Sequence, residues 1–417
     1  MVDRVRTSRR GLLGLGTAAV AGTAAATLSA CDSKGSPRSA PAATVAFHGS
    51  RQAGIVTAQQ DRLAFAAYDL TVSGSPAENR DALRELLKTW TAAARAMTEG
   101  KPVPGDNDIG AAPPADTGEA FGTPPANLTI TIGFGPSLFD KRFGLADKRP
   151  AALADLPHFA RDNLDATRSG GDIAIQACSD DPMVAFHAIR NLARLGRGTV
   201  VMRWSQLGFG RAASTSDKQE TPRNLFGFKD GTRNIHGDPK QLDNWVWVGK
   251  ETDQKWMRNG SYLVARRIQM RIEAWDRDFL TDQQNVFGRH KYTGAPLSGG
   301  NEFDAPNFHA RAADGSAAIP PTSHMALAAH ENNGGVRILR RAYNYTDGVI
   351  ASSGELDAGL FFLCYQRDPR TQFVALQHKL SRSDALNEYI QHVGSGLYAC
   401  PPGVTSDSGY WGEDLLA

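Results

Sequence analysis

The chain has 417 residues, enough for two domains of ordinary size. It is 41% hydrophobic and 22% charged, which is globular and not disordered, and a net charge of +2 gives no strong field for nucleic acid. The 4 cysteines form no CxxC pair, which excludes a disulfide scaffold and the common zinc spacings.

Residues 1–30 read as an export segment and not as part of the fold. "RTSRRGLLGLGTAAVAGTAAATLSAC" has a basic start, the pair Arg9 and Arg10, and a weakly apolar Ala/Gly/Leu run, the pattern of a twin-arginine signal peptide. Its Gly/Ala content makes it a poor spanning helix. Gly14-x-Gly16-x-x-Ala19 imitates a dinucleotide fingerprint, but no strand precedes it. The closing "LSAC" looks like a lipobox, with Cys31 as the lipidation site, and 31–44 reads as a flexible tether. The expected location is periplasmic or extracellular, with the lipid holding the chain on the outer face of the cell membrane without spanning it. Twin-arginine export carries folded proteins, so this signal points to a cofactor inserted before export.

The mature chain falls into two α+β halves, 45–210 and 211–417. In the first, "RLAFAAYDLTV" (62–72) alternates as a strand, and 75–100 is an amphipathic helix opened by Ser75-Pro76 and closed by Gly100. A Pro/Gly/Asp-rich loop covers 101–126. Then come the strands "NLTITIGFG" and "DIAIQACS", the helix "DPMVAFHAIRNLARL" and the strand "GTVVMRWSQLGF". This is a βαββαβ, ferredoxin-like order. The second half repeats it loosely. Strand-like 261–275 is followed by helical 276–291, strands at 336–346 and 358–368, a helical 372–393 and a last short strand, "GLYACPP". The insertion 288–323 is long enough to cover a site.

Three places carry candidate chemistry. "NLFGFKDGTRNIHGDP" (224–239) sets Asp230 after Leu225, Phe226 and Phe228, more apolar weight than a turn tip usually bears. As a strand, "VRILRRAYNY" puts Arg340 on one face with Val336, Ile338 and Ala342; a buried arginine there needs a carboxylate or an anionic ligand. His324 follows "PPTS" and precedes an apolar run, and His330 does not complete the His-x3-His spacing of zinc helices. A single histidine is, however, what a haem iron needs. Cys400 before Pro401 is a rival thiolate ligand. A proximal histidine, a distal acid and a distal cation are together the parts of a haem peroxidase.

"GFKDGT" (227–232), "SHMALAAHENNGGVRILRRAYNY", "FGRHKYTGAPL", "LDAGLFFLCYQRDP", "LNEYIQHVGSGLYACPPG" and "FHGSRQAGI" resemble, in order, segments of the dye-decolorising peroxidases. The exported deferrochelatase/peroxidase subgroup is the nearest in pattern. The resemblance implies two ferredoxin-like domains in a dimeric α+β barrel-like arrangement, with haem in the C-terminal half. It implies non-covalent haem b, one per chain, in keeping with the absence of CxxCH. The implied reaction is reduction of hydrogen peroxide and oxidation of bulky or phenolic one-electron donors such as dyes. The alternative is haem handling that delivers iron in an uptake system with membrane components. A homo-oligomer is expected.

By the same resemblance Asp230 is the distal acid, Arg340 the distal arginine and His324 the iron ligand. Gly231, Thr232, Arg233, Ala329, His330 and Glu331 contact haem, and Arg289 pairs with a haem propionate. Glu388 is the candidate acid for the second N–H of His324. The phenylalanines of the Asp230 segment are expected to screen one haem face from water.

Overall fold

Ser75 opens the first helix of the computed structural model, which describes residues 43–417. The export segment, Cys31 and most of the tether lie outside the described residues. The Ser75 hydroxyl accepts the Glu78 amide and the Glu78 carboxylate accepts the Ser75 amide, a closed capping box, while Pro76 has no N–H to leave unpaired. Helix α1 (Pro76–Thr98) packs on helix α2 (Pro182–Leu195), and the Trp90 indole donates to the Leu192 carbonyl between them at 2.8 Å.

The strands are β1 (Arg62–Leu70), β2 (Thr129–Phe134), β3 (Ile173–Ser179), β4 (Val200–Arg211), β5 (Ser261–Met270), β6 (Leu339–Arg340), β7 (Tyr343–Val349), β8 (Leu356–Gln366) and β9 (Ile390–Cys400). They form one sheet in the order β5-β9-β2-β3-β1-β4-β7-β8-β6, and a further β5–β8 ladder closes it into a barrel. The ring is two four-stranded antiparallel sheets, β2-β3-β1-β4 and β9-β5-β8-β7, joined at two short seams. One seam is the pair Phe134↔Ala399; the other is Phe209↔Asn344 with Arg211↔Tyr343. Each half is ferredoxin-like in its order of elements, as the sequence predicts.

Strand alternation sorts the side chains. Leu63, Phe65, Trp204, Leu263, Ala265, Phe361, Leu363, Tyr398 and Cys400 fill the barrel. Ala64, Ala66, Tyr68, Ile130, Ile132 and Ile175 face outward and pack with the helices. The neighbouring arginines divide in the same way. Leu339 is in the barrel core and Arg340 faces a cavity outside it. Arg341 is fully buried, donating to the Thr57 carbonyl at 2.5 Å and to Gln60. Cys400 is therefore a buried barrel thiol and does not line the cavity, so it is no rival ligand.

The last strand departs from expectation. Residues 390–393 read as helical, yet β9 begins at Ile390, because Met270↔Ile390 and Gln269↔Gln391 pair with β5. The polar residues there are satisfied by a neighbouring strand that local pattern does not reveal. The helical part is Phe373–Ser383, followed by the single turn Ala385–Glu388.

Candidate functional site

A cavity of about 250 Å³ opens on the outer face of the second sheet, and every residue lining it comes from 224–392. Ile268, Met270, Leu360 and Phe362 form its floor, the outward set of β5 and β8. Phe373, Leu376 and Leu380 of the helix Phe373–Ser383 form one wall. The loop 224–234, the short helix His324–Ala328 and residues 336–340 complete it.

Asp230 and Arg340 meet in this cavity, although 110 positions apart. The Arg340 guanidinium donates to Asp230 Oδ1 at 2.5 Å, and Asn224 Nδ2 donates to Oδ2 at 3.1 Å. Asn234 fixes the strand side: its amide oxygen accepts the Arg340 N–H at 2.8 Å, and its NH2 group donates to the Arg340 carbonyl at 2.8 Å. Gly231 has φ +113, and a Cβ there would lie 2.6 Å from the Ser214 nitrogen, so the turn after Asp230 needs glycine.

Phe226 and Phe228 do not face the cavity, contrary to expectation. They are buried in an aromatic cluster with Trp275 and Phe287; Phe226 stacks on Trp275 at 4.5 Å and Phe228 on Phe287 at 4.1 Å between centroids. Of the four rings only Phe287 lines the cavity. The aromatics anchor the loop that carries Asp230, and burial of large rings is a strong enough driving force to fix it.

His324 begins its helix after the N-cap Ser323. Its Nδ1 lies 2.6 Å from Asp384 Oδ2, and Asp384 is buried. Glu388 is exposed and is not the partner. Asp384 caps the turn Ala385–Glu388, accepting the Leu386 amide, so its carboxylate is held inward while the turn carries Glu388 to the surface. The sequence contained this signal: Asp before "ALNE" is an N-cap pattern. Burial works against protonation of His324, but the charge and hydrogen bond of Asp384 outweigh it, and the His324 pKa is raised above 6.5.

The remaining predicted residues gather at one end of the cavity. Gly231, Thr232, Arg233, Arg289, Ala329 and His330 line it. Glu331 stands beside them, paired with Arg233 at 2.5 and 3.0 Å. Arg337, which the sequence reading missed, donates to His330 Nε2 at 2.7 Å. Arg289 and Arg337 have no carboxylate within 4.0 Å among the described residues; Arg289 donates only to the Gly294 and Glu302 carbonyls. Burial and then the charge of Arg233 bring the Arg289 pKa down to about 10, which leaves it protonated at neutral pH.

Glu302, also missed, fastens the 288–323 insertion to the site. Its carboxylate accepts the Lys229 ammonium and, at 3.1 Å, the Thr232 hydroxyl. Nothing in local sequence marks it, because both partners are about 70 residues away.

The barrel and this cavity define a haem-binding oxidoreductase that acts on peroxide, as comparison with known proteins establishes. The chain belongs to the Dyp-type peroxidase family: residues 52–210 match the model of the Dyp-type peroxidase N-terminal region and 221–405 that of the C-terminal region. It is 38% identical over 377 residues to a deferrochelatase of Escherichia coli strain K12, covering 89% of this chain and 86% of that one. A deferrochelatase of Yersinia pseudotuberculosis is 38% identical over 379 residues, covering 89% and 84%. Among solved structures, ferric DtpA from Streptomyces lividans is 39% identical with a TM-score of 0.81, covering 90% of this chain and 97% of that one. A DyP-type peroxidase from Streptomyces coelicolor is 39% identical with a TM-score of 0.82 over the same shares.

Burial alone would raise the Glu302 pKa, but hydrogen bonds from Lys229, Thr221 and Thr232 and the Lys229 charge hold it below 4.5. A depressed carboxylate contributes stability that is present above pH 4.5 and fades as pH falls through the lowered value. Glu302→Gln is therefore expected to cost about 1–3 kcal/mol in urea unfolding near pH 7. The gap from wild type should shrink as the pH is taken below 4.5.

Proposed function

We propose that the cavity holds one non-covalent haem b, with His324 as the residue that would bind its iron and Asp230 and Arg340 as the groups that would handle peroxide. The observation that carries this is the convergence, in a single apolar cavity, of a carboxylate-bound histidine and a separate aspartate–arginine pair. The donor set suits the group. The floor is aliphatic and aromatic, and Arg289 and Arg337 are two cations without carboxylate partners, matching the two carboxylates of haem. When bound, the iron supplies the redox chemistry of peroxide reduction.

The chain's own residues supply binding and proton movement. Asp384 accepts the Nδ1–H of His324, which leaves the Nε2 lone pair for the metal and makes the imidazole a stronger donor. Asp230 accepts a proton from one oxygen of hydrogen peroxide and returns it to the other. Arg340 and Asn224 hold the carboxylate through one lone pair on each oxygen, so each keeps another free for that proton. The Arg340 guanidinium also stabilises negative charge on the leaving oxygen. Bulky one-electron donors such as dyes react at the protein edge, and small phenols enter the cavity.

Asp230→Asn should keep haem yet lower kcat/KM for hydrogen peroxide roughly 10²–10⁴-fold, the usual worth of a general acid–base group; unchanged peroxide kinetics would remove the proposed role. Asp384→Asn should weaken haem retention roughly 10–100-fold, whereas Glu388→Gln should leave it unaltered. Haem transfer to excess apomyoglobin measures both.

A second reading is supported by the names of the relatives: the protein takes iron from haem, as "deferrochelatase" describes for them. The expected product is metal-free porphyrin, which fluoresces where haem does not. Recovery of intact haem only, after incubation with reductant and an iron chelator, counts against this reading.

A further inference from the structure

The rim of the cavity carries three guanidinium groups, Arg233, Arg289 and Arg337, and one carboxylate among them, Glu331. Glu331 engages one of the three. It binds Arg233 directly, at 2.5 and 3.0 Å. Its neighbour His330 has Nδ1 3.0 Å from Glu331 Oε2, and His330 Nε2 accepts the Arg337 guanidinium at 2.7 Å. An arginine can only donate, so Nε2 must be the accepting nitrogen and, in the neutral ring, Nδ1 the one that carries the proton. Burial and the charge of Arg337 lower the His330 pKa, which favours this neutral tautomer. The pair Glu331–Arg233 thus joins the loop that carries Asp230 to the segment that follows His324.

We propose that Glu331 sets how long the pocket retains its tetrapyrrole: it is a carboxylate supplied by the chain itself, which competes with the ligand's own carboxylates for Arg233. This rests on the haem reading above. Without Glu331 the rim would present to a dicarboxylate three cations with no carboxylate within 4.0 Å among the described residues; with it, Arg233 is paired within the protein. Release of the ligand then leaves Arg233 paired and not stranded, so the barrier to release falls. Glu331 acts on retention through Arg233 and is a positioning residue. A pocket that must exchange whole haem or discharge porphyrin gains from such a group, whereas a pocket that only holds haem does not need it.

The test uses the full haem-loaded chain and follows transfer of haem to excess apomyoglobin by Soret absorbance. Glu331→Gln is expected to slow transfer roughly two- to fivefold, the worth of a partly exposed charge pair. Glu331→Asp, which keeps the charge, should stay near the wild-type rate. Arg233→Gln provides the decisive background: there Glu331→Gln should have little further effect, because the shared partner is gone. A metal-free protoporphyrin dimethyl ester, with its carboxylates masked, should dissociate equally fast from wild type and Glu331→Gln. An unchanged or faster haem transfer from Glu331→Gln overturns the proposal, as does the same effect in the Arg233→Gln background. Failure of the wild-type chain to bind haem at all overturns the haem reading instead, and the proposed role of Glu331 with it.

Discussion

The contact between Arg340 and Asp230 is the constraint on which the site depends. Arg340 is fixed by the pairing of β6 with β8, and Asp230 lies in a loop with no regular structure of its own. A loop can hold a carboxylate in one place only if its backbone is tied down. Here the ties are Asn234 clasping the Arg340 backbone, Asn224 on the second carboxylate oxygen, and the buried phenylalanines beneath. The aromatic cluster turns apolar burial into positional accuracy for a polar group, as a preorganised site requires.

Charge is distributed to match. Asp230 faces Arg340, Lys229 faces Glu302 and Asp384 faces His324, so most of the charged groups around the cavity are paired. The exception is the rim, where Arg289 and Arg337 lack carboxylates. A buried cation without a counter-charge is costly, and the low pKa of Arg289 reflects that cost. The rim therefore stores an attraction for an anionic group, and Glu331 limits its strength.

Much of the fold was legible in the chain. The capping box at Ser75, the alternation of 62–70 and the β-rich apolar runs at 129–134 and 173–179 are local signals, and the structure follows them within a few residues. Arg340, Val336 and Ile338 do share the cavity, but only Leu339–Arg340 is strand and Arg337 lines the cavity too, so alternation explains no more than the opposite placement of Leu339 and Arg340. Reading failed where a distant strand decided the matter. Ile390–Val393 looks helical in isolation and becomes strand because β5 offers it hydrogen-bond partners.

By itself the sequence determined the α+β order, the family and the short list of Asp230, His324 and Arg340, because these are carried by local periodicity and compact motifs. Only the tertiary structure decided which partners serve them. Asp384 and not Glu388 takes His324, because a helical cap turns one acid inward and the next turn carries the other to solvent. Asn224, Glu302 and Arg337 joined the site for the same reason: hydrogen bonds and ion pairs act over a few ångströms, and sequence separation does not encode that distance. The segment "NLFGFKDGTRN" supplied both the carboxylate and its apolar anchor, but barrel closure and packing decided that the rings point away from the cavity and Asp230 into it.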